Sequence, residues 1–272
     1  MIKKFLGLFT ALMIMAEVQA SISVAPMRLE INANKIKGNY LTTSINVKGD
    51  MKKPMRFRVT KGYFTLNEKG LVNMVEDTDT NDPHDIQKNI RFVPSEFNVM
   101  PGKSQRVRIN IVNLNQLPDG ESRAILFIED VNPKEYNYDT GRAGIGAQLI
   151  VKTRICVPVY VDKGNFTKVG DIEYLNIKKE NDGLYTEIKV LSKGNSRIRY
   201  AGRIQIIDGK KLVDEYGIDG SVVGDNNFYI SKDKIKTDKL TAGHEYILRA
   251  VLTYDDGKGK KVNMTKEIPL NI

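Results

Sequence analysis

The chain has one cysteine, two histidines and no tryptophan. With Cys156 alone no internal disulfide can form, so the thiol either pairs with another chain or serves as a small apolar residue among Ile155, Val157 and Val159, the role expected here. One cysteine and the widely separated His84 and His244 cannot make a four-ligand zinc site of the usual kind. No serine or cysteine has a base near it in sequence, so neither an enzyme nor a cofactor is expected. After the N-terminus no apolar run approaches the roughly 20 residues of a membrane span, and the first half lacks a convincing amphipathic helix. The formal charge is +9, but there is no arginine-rich run and no interleaved aromatic platform. The charge therefore reads as solubility and steering of an acidic partner, not as a nucleic-acid footprint.

What is present begins with an export signal. Lys3 and Lys4 precede an apolar block from Phe5 to Met15, and Val18-Gln19-Ala20 forms a small-residue cleavage pattern before Ser21. Residues 1–20 are read as a signal peptide, and the protein as exported. Removing Lys3, Lys4 and Glu17 lowers the charge from +9 to +8.

From Ser21 onward, short alternating runs are separated by glycine, proline, asparagine and aspartate. Examples are Leu41–Val47, Met55–Val59, Phe97–Val99, Arg106–Val112 and Ala124–Ile128. This is the rhythm of an all-β sandwich. Apolar parity switches at Pro26, with Ile22 and Val24 on one side and Met27, Leu29 and Ile31 on the other, so one strand can begin in one sheet and finish in the second. Arg28 then points away from that apolar row.

Residues 65–88 interrupt the rhythm and read as a solvated loop. Asp77, Asp79, Asn81 and Asp82 look like a calcium loop, but Asp82 replaces the turn glycine and Lys88 the closing glutamate. Gly141-Arg-Ala-Gly-Ile-Gly146 looks like a phosphate loop, yet it lacks the Gly-Lys-Ser/Thr ending and precedes a strand, so no nucleotide is expected.

Ile145 to Val157 reads as one extended strand, with Ile145, Ala147, Leu149, Val151, Ile155 and Val157 sharing a face and Gln148, Lys152 and Arg154 opposite. Two uses are open to that face. It can fill the protein's own core, or it can be offered at a sheet edge to another protein as a missing strand.

Asp162 to Asn165 reads as a linker, after which the rhythm resumes at Asp171–Ile177, Leu184–Leu191, Gly202–Ile207, Asn227–Ile230, Tyr246–Tyr254 and Lys261–Ile268. Asn181-Asp-Gly183 and Asp255-Asp-Gly257 are hairpin signals. Leu240 to Tyr246 resembles a tyrosine corner, which makes Tyr246 structural. The expected organisation is a first sandwich over 21–161 and a second over 162–272.

Three segments together resemble the periplasmic pilus and fimbrial chaperones of the chaperone–usher pathway, the PapD-like family. They are Leu117 to Pro133, Phe92 to Ile109, and Met27-Arg28-Leu29. The resemblance covers the first half well and the second only in size and strand count. It implies two immunoglobulin-like domains in an L-shaped arrangement in the periplasm. Partners would be pilus or fimbrial subunits and an outer-membrane usher, with no nucleotide, nucleic acid or membrane insertion. The implied action is donor-strand complementation, with Ile145, Ala147, Leu149 and Val151 as the row lent to the subunit.

The family also holds the subunit's C-terminal carboxylate with an arginine and a lysine. Arg28 matches the arginine, but Cys156 stands at the lysine position, and Arg154, or failing that Lys152, is the expected replacement. Tyr160 stands where the family has an arginine, which removes the usual ion partner of Glu121; Glu121 and Arg108 are expected to be structural. The alternative is an exported structural or adhesive surface protein of two such domains, with residues 145–151 buried in its own core.

Overall fold

The computed structural model describes residues 22–271 except 68–69, 77–79, 133 and 143–144; the side chains of 134–142 and 145–147 are likewise outside the description. The signal segment 1–20, Asp77 and Asp79 of the acidic loop, and Ala143-Gly144 therefore lie outside the described residues. Among the described residues no helix is long and apolar enough to cross a membrane.

The chain is all-β. In order, its first strands are β1 (Ser23–Ala25), β2 (Leu29–Asn32), β3 (Tyr40–Lys48), β4 (Met55–Leu66), β5 (Val72–Glu76), β6 (Ile90–Val93), β7 (Glu96–Val99) and β8 (Ser104–Val112). There follow β9 (Gly120–Asp130), β10 (Lys134–Arg142), β11 (Ile145–Val151) and β12 (Arg154–Lys163). One sheet has the order β1-β3-β8-β6; the facing sheet runs β2-β12-β9-β4-β5, with β7 also on β4. Between them lies a core that includes Ile45, Phe57, Ile109, Leu126, Ile128 and Val159. The parity switch at Pro26 has the expected consequence, since β1 pairs with β3 in one sheet while β2 runs parallel to β12 in the other.

The second sandwich packs β13 (Gly170–Glu180), β14 (Gly183–Ser192) and β17 (Asn227–Lys234) against a sheet of order β16-β15-β18-β19, formed by β15 (Ile198–Asp208), β16 (Lys211–Val222), β18 (Glu245–Asp255) and β19 (Lys261–Asn271). Its core includes Ile188, Ile204, Leu248, Leu252 and Leu270. Strand β16 is absent from the sequence expectations, because Gly217, Gly220 and three acidic residues break its alternation. Its register with β15 supplies the pattern that its composition lacks.

The Tyr246 hydroxyl accepts a hydrogen bond from the Thr241 backbone N–H at 2.9 Å, and the ring is buried. Tyr246→Phe removes this acceptor and is expected to lower stability by about 0.5–1.5 kcal/mol in urea unfolding. An unchanged midpoint would show that the ring alone holds this corner.

Two expectations need correction. Residues 65–88 are not simply a loop, because Val72–Glu76 pair with β4 and the Tyr63 hydroxyl donates to Asp82 Oδ2 at 2.5 Å. Strand β5 lies so close over β4 that a Cβ on Gly62 would stand 2.3 Å from the Val75 carbonyl oxygen and 2.7 Å from the Phe127 ring. The β4–β5 turn then reaches the second sandwich, where a Cβ on Gly70 would meet the Phe228 carbonyl at 2.4 Å. Likewise, Asp162 and Lys163, read as the start of a linker, complete β12. Together these elements cover the outer face of β9, which is buried at every position and fits Ile125 and Phe127 into a third apolar group with Phe64, Tyr160 and Val223.

Candidate functional site

The run from Ile145 to Val157 is two strands rather than one. β11 pairs with β10 in a separate two-stranded sheet, with Tyr136 opposite Leu149 and Lys134 opposite Val151. Pairing with the sandwich resumes at Arg154, opposite Glu129 on β9. At the break, the Thr153 carbonyl accepts a hydrogen bond from the Asp130 N–H at 3.1 Å. Leu149, Ile150 and Val151 are 49 %, 55 % and 41 % exposed. The row that could have filled the protein's own core therefore faces solvent at Leu149 and Val151. The side chains of Ile145 and Ala147 lie outside the described residues. Among the described residues β11 has β10 as its only strand partner, so its second edge is unpaired.

The arginines separate. On β12, Val159 lies opposite Leu29, which puts Arg28 level with Pro158, four positions beyond Arg154 and about 13 Å along the strand. Arg154 instead donates to Glu129 Oε2 at 2.9 Å and to Glu76 Oε2 at 2.7 Å, and its guanidinium lies 5.0 Å from the centre of the Phe127 ring. Lys152 also pairs with Glu129. The structure therefore does not bring Arg154 or Lys152 to Arg28: Arg154 is drawn to Glu76 on β5 and Glu129 on β9, and Lys152 to Glu129, pairings that the alternation of the strand could not reveal.

Burial pushes the Glu129 carboxyl up, but Lys152 and Arg154 outweigh it and hold the group below its ordinary value of 4.5. The folded state thus binds this proton less readily than the unfolded chain. The resulting stability is complete above about pH 4.5 and is lost as pH falls through the lower folded value. The urea midpoint is expected to drop between pH 6 and pH 3 by less in Glu129→Gln than in the parent; equal drops would remove Glu129 from the acid response.

Cys156 lies on the face of β12 opposite Val157 and Val159. It is half-buried, with its sulfur 3.9 Å from the Met74 sulfur, and packs as a small apolar residue against the third apolar group rather than in the core between the sheets where Val157 and Val159 lie. Its odd-numbered neighbours fill the core; its own face is covered by β5. Burial pushes the thiol up despite Arg154, which disfavours the nucleophilic thiolate.

The second feature is a buried ion network where the sandwiches meet. Glu121 on β9 is 1 % exposed, and its Oε2 accepts from the Arg197 guanidinium at 2.9 Å and from the Arg197 backbone N–H at 3.1 Å. Arg197, just before β15, also lies 3.8 Å from Asp162 and stacks 4.0 Å from the centre of the Tyr160 ring. Asp162 takes a hydrogen bond from the Ser196 hydroxyl at 2.6 Å and pairs with Lys168 at 3.0 Å. Burial pushes the Glu121 carboxyl up, opposed by Arg197 and Arg123. So the loss of an arginine at position 160 does not leave Glu121 without an ion partner. The second sandwich supplies one, and Tyr160 becomes the surface on which it lies. No local signal in Asn195-Ser-Arg197 announces this role, because it depends on the placing of two distant sheets.

Other singled-out residues are not assembled into a reactive group. His84 Nδ1 lies 2.7 Å from the Glu121 carbonyl oxygen, and His244 Nε2 lies 3.1 Å from Asp208 in the other sandwich. Arg108 is exposed on β8 opposite Ser44. Among the described residues no group of three or more histidine, cysteine or acidic side chains could hold a metal ion.

No protein-family model matches the chain, and no curated protein matches it. Solved structures similar to it include the class 5 fimbriae chaperone CfaA, at 13% identity over 92% of this chain and 100% of that one, with a TM-score of 0.46. The CupB2 chaperone of Pseudomonas aeruginosa is similar at 13% identity over 90% of this chain and 100% of its own, with a TM-score of 0.44. The CsuC–CsuE chaperone–tip adhesion subunit pre-assembly complex of Acinetobacter baumannii matches at 12% identity over 90% of this chain and 98% of that one, with a TM-score of 0.45. Each of the three is named for a chaperone. At these values the likeness assigns no role to any residue; the roles rest on the geometry above.

Proposed function

We propose that this protein is an exported, non-enzymatic chaperone that lends β11 to pilus or fimbrial subunits and passes them to an outer-membrane usher. The observation that carries the reading is the exposed apolar strand β11, whose second edge is unpaired among the described residues. An extended strand of this kind satisfies the backbone of an incomplete sheet at about 0.5–1.5 kcal/mol net per hydrogen bond. Side chains that enter the groove add up to roughly 1.5–3 kcal/mol each. No nucleotide is needed, because binding supplies the free energy. The sequence segments around Arg28, Phe92–Ile109 and Leu117–Pro133 support the same reading. In it, the first sandwich, which runs through Lys163 at the end of β12, forms the subunit-binding domain and the rest of the chain the second domain, meeting at the Glu121–Arg197 network; the signal segment directs the chain to the periplasm. A surface protein with residues 145–151 in its own core is disfavoured by the exposure of Leu149 and Val151.

The test is co-expression with a strand-lacking pilus or fimbrial subunit, followed by limited proteolysis of the periplasmic fraction. The subunit is expected to survive only when this protein is present. Equal degradation with and without it would end the reading.

A further inference from the structure

The sheet β1-β3-β8-β6 has no aspartate or glutamate in any of its four strands. Its inner face is apolar, with Ile45, Val47, Ile90, Val107 and Ile109 in the core, so alternation turns Lys48, Arg91, Arg106 and Arg108 outward, where all four are exposed. Register sets them side by side. Arg108 lies between Ser44 on β3 and Val93 on β6, Arg106 opposite Asn46, Lys48 opposite Ser104, and Arg91 opposite Asn110. Arg106 and Arg108 are therefore about 6.8 Å apart along one strand, inside the roughly 10 Å over which 0.1 M salt screens a charge. Arg91 donates to the Lys88 and Ile90 carbonyls, and among the described residues none of the four cations has a carboxylate partner.

The positive face continues onto one end of the sandwich. The β3–β4 loop carries Lys52 and Lys53, the β7–β8 loop carries Lys103, and the Gly102 N–H joins the two loops by donating to the Asp50 carbonyl at 3.3 Å. Met51 and Met100, 50 % and 60 % exposed, lie on the same loops, and Val93 is exposed beside Arg108. Asp50 is the one acidic residue of these loops, and its carboxylate accepts from the Lys52 and Lys53 backbone N–H groups. The second sandwich is built otherwise, since Lys178, Lys189, Lys232 and Lys234 each pair with a carboxylate. Uncompensated charge thus gathers on one face, where its self-repulsion costs the free fold stability.

We propose that this face is an adsorption surface for an anionic lipid bilayer. Complementarity requires a partner that is negative over an area as broad as the sheet, and clusters of four to eight cations beside apolar side chains are the composition that holds proteins to such bilayers. The exposed methionines decide for lipid over an acidic protein: a bilayer offers phosphates to the guanidinium and lysine groups and, just below them, an apolar boundary to Met51 and Met100. The contact is with headgroups and needs no spanning segment. No cationic run marks this surface in the sequence, because β3, β6 and β8 each contribute only one or two of the cations. The inference goes beyond the chaperone reading and does not depend on it.

The experiment sediments the purified protein with vesicles of phosphatidylglycerol mixed equally with phosphatidylcholine, and with vesicles of phosphatidylcholine alone. Binding is expected to the anionic vesicles only, and to weaken as salt rises. Combining Lys48→Gln, Arg106→Gln and Arg108→Gln is expected to lower the partition coefficient roughly a hundredfold, about fivefold for each cation withdrawn from an anionic surface. Combining Lys178→Gln, Lys232→Gln and Lys234→Gln removes the same charge from the second sandwich and is expected to cost less than about twofold. Arg106→Lys with Arg108→Lys keeps the charge, guards against a folding defect in the first variant, and is expected to bind within about threefold of the parent.

Equal binding to both kinds of vesicle, the result expected of adsorption through the apolar row of β11, would overturn the proposal. So would equal losses in the two triple variants, which would make net charge the cause, or a hundredfold loss on exchanging the two arginines for lysine. Binding of poly-glutamate without binding of anionic vesicles would overturn it in favour of an acidic protein. Because the free protein is tested without a subunit, failure here leaves the chaperone reading standing, and failure of subunit protection leaves the lipid result standing.

Discussion

Replacing Arg197 by methionine is expected to destabilise the folded protein by about 3–5 kcal/mol, the usual cost of breaking one side of a buried ion pair. Glu121 and Arg197 are 1 % and 4 % exposed, so water cannot take over from the missing guanidinium. Methionine keeps much of the apolar stem that lies on Tyr160, which confines the loss to charge and hydrogen bonding. The remaining cation near Glu121 is Arg123, 3.7 Å from Oε1, and neither atom of that contact has a hydrogen-bond partner. Arg123 therefore offers a weak substitute. Adding Glu121→Gln to Arg197→Met should recover much of the loss, since a neutral amide costs far less to bury than an unpaired carboxylate. Urea unfolding followed by tyrosine fluorescence measures both variants. A loss below about 1 kcal/mol for Arg197→Met would place this pair with ordinary surface ion pairs.

Aspartates at both Leu149 and Val151 are expected to abolish subunit protection while leaving the free protein as stable as before. The two side chains share one face of β11 and are 49 % and 41 % exposed, so the free fold gains little from them. In a subunit groove each would lose roughly 1.5–3 kcal/mol of apolar burial. Desolvating a carboxylate there adds to this, so the combined effect exceeds about 4 kcal/mol, or roughly a thousandfold in affinity. Limited proteolysis of a co-expressed subunit gives the binding result and thermal unfolding of the purified variant the stability result. Full protection by this double variant would show that β11 is not the strand that is lent. Ile150, on the opposite face, provides an internal comparison: Ile150→Asp is expected to cost less, because in a lent strand its side chain points out of the groove.

How much of this was legible beforehand varies with how local each pattern is. The change of parity at Pro26 needed only the period of a strand, and it predicted that β1 and β2 would occupy different sheets. The Leu240–Tyr246 corner was equally local, and its hydrogen bond spans five residues. By contrast, the same alternation was read straight through Lys152 and Thr153. A period cannot show where a strand changes partners, and β11 leaves the sandwich for β10 at that point. Cys156 has the small apolar role that its neighbours suggest, but on the outer face of β12, because an apolar neighbourhood in sequence does not say which side of the sheet a residue takes.

By itself, the sequence determined the all-β class, most of the strands, and the presence of an apolar row at 149 and 151, because two-residue periodicity and turn chemistry act over a few residues. Only the tertiary structure decided which charges meet. Arg154 is the expected companion of Arg28, yet it is held by Glu76 and Glu129, while Arg197 and Arg199, far away in the chain, converge on Glu121 and Glu30. Coulomb attraction acts through distance and burial, and neither exists until the sheets have packed.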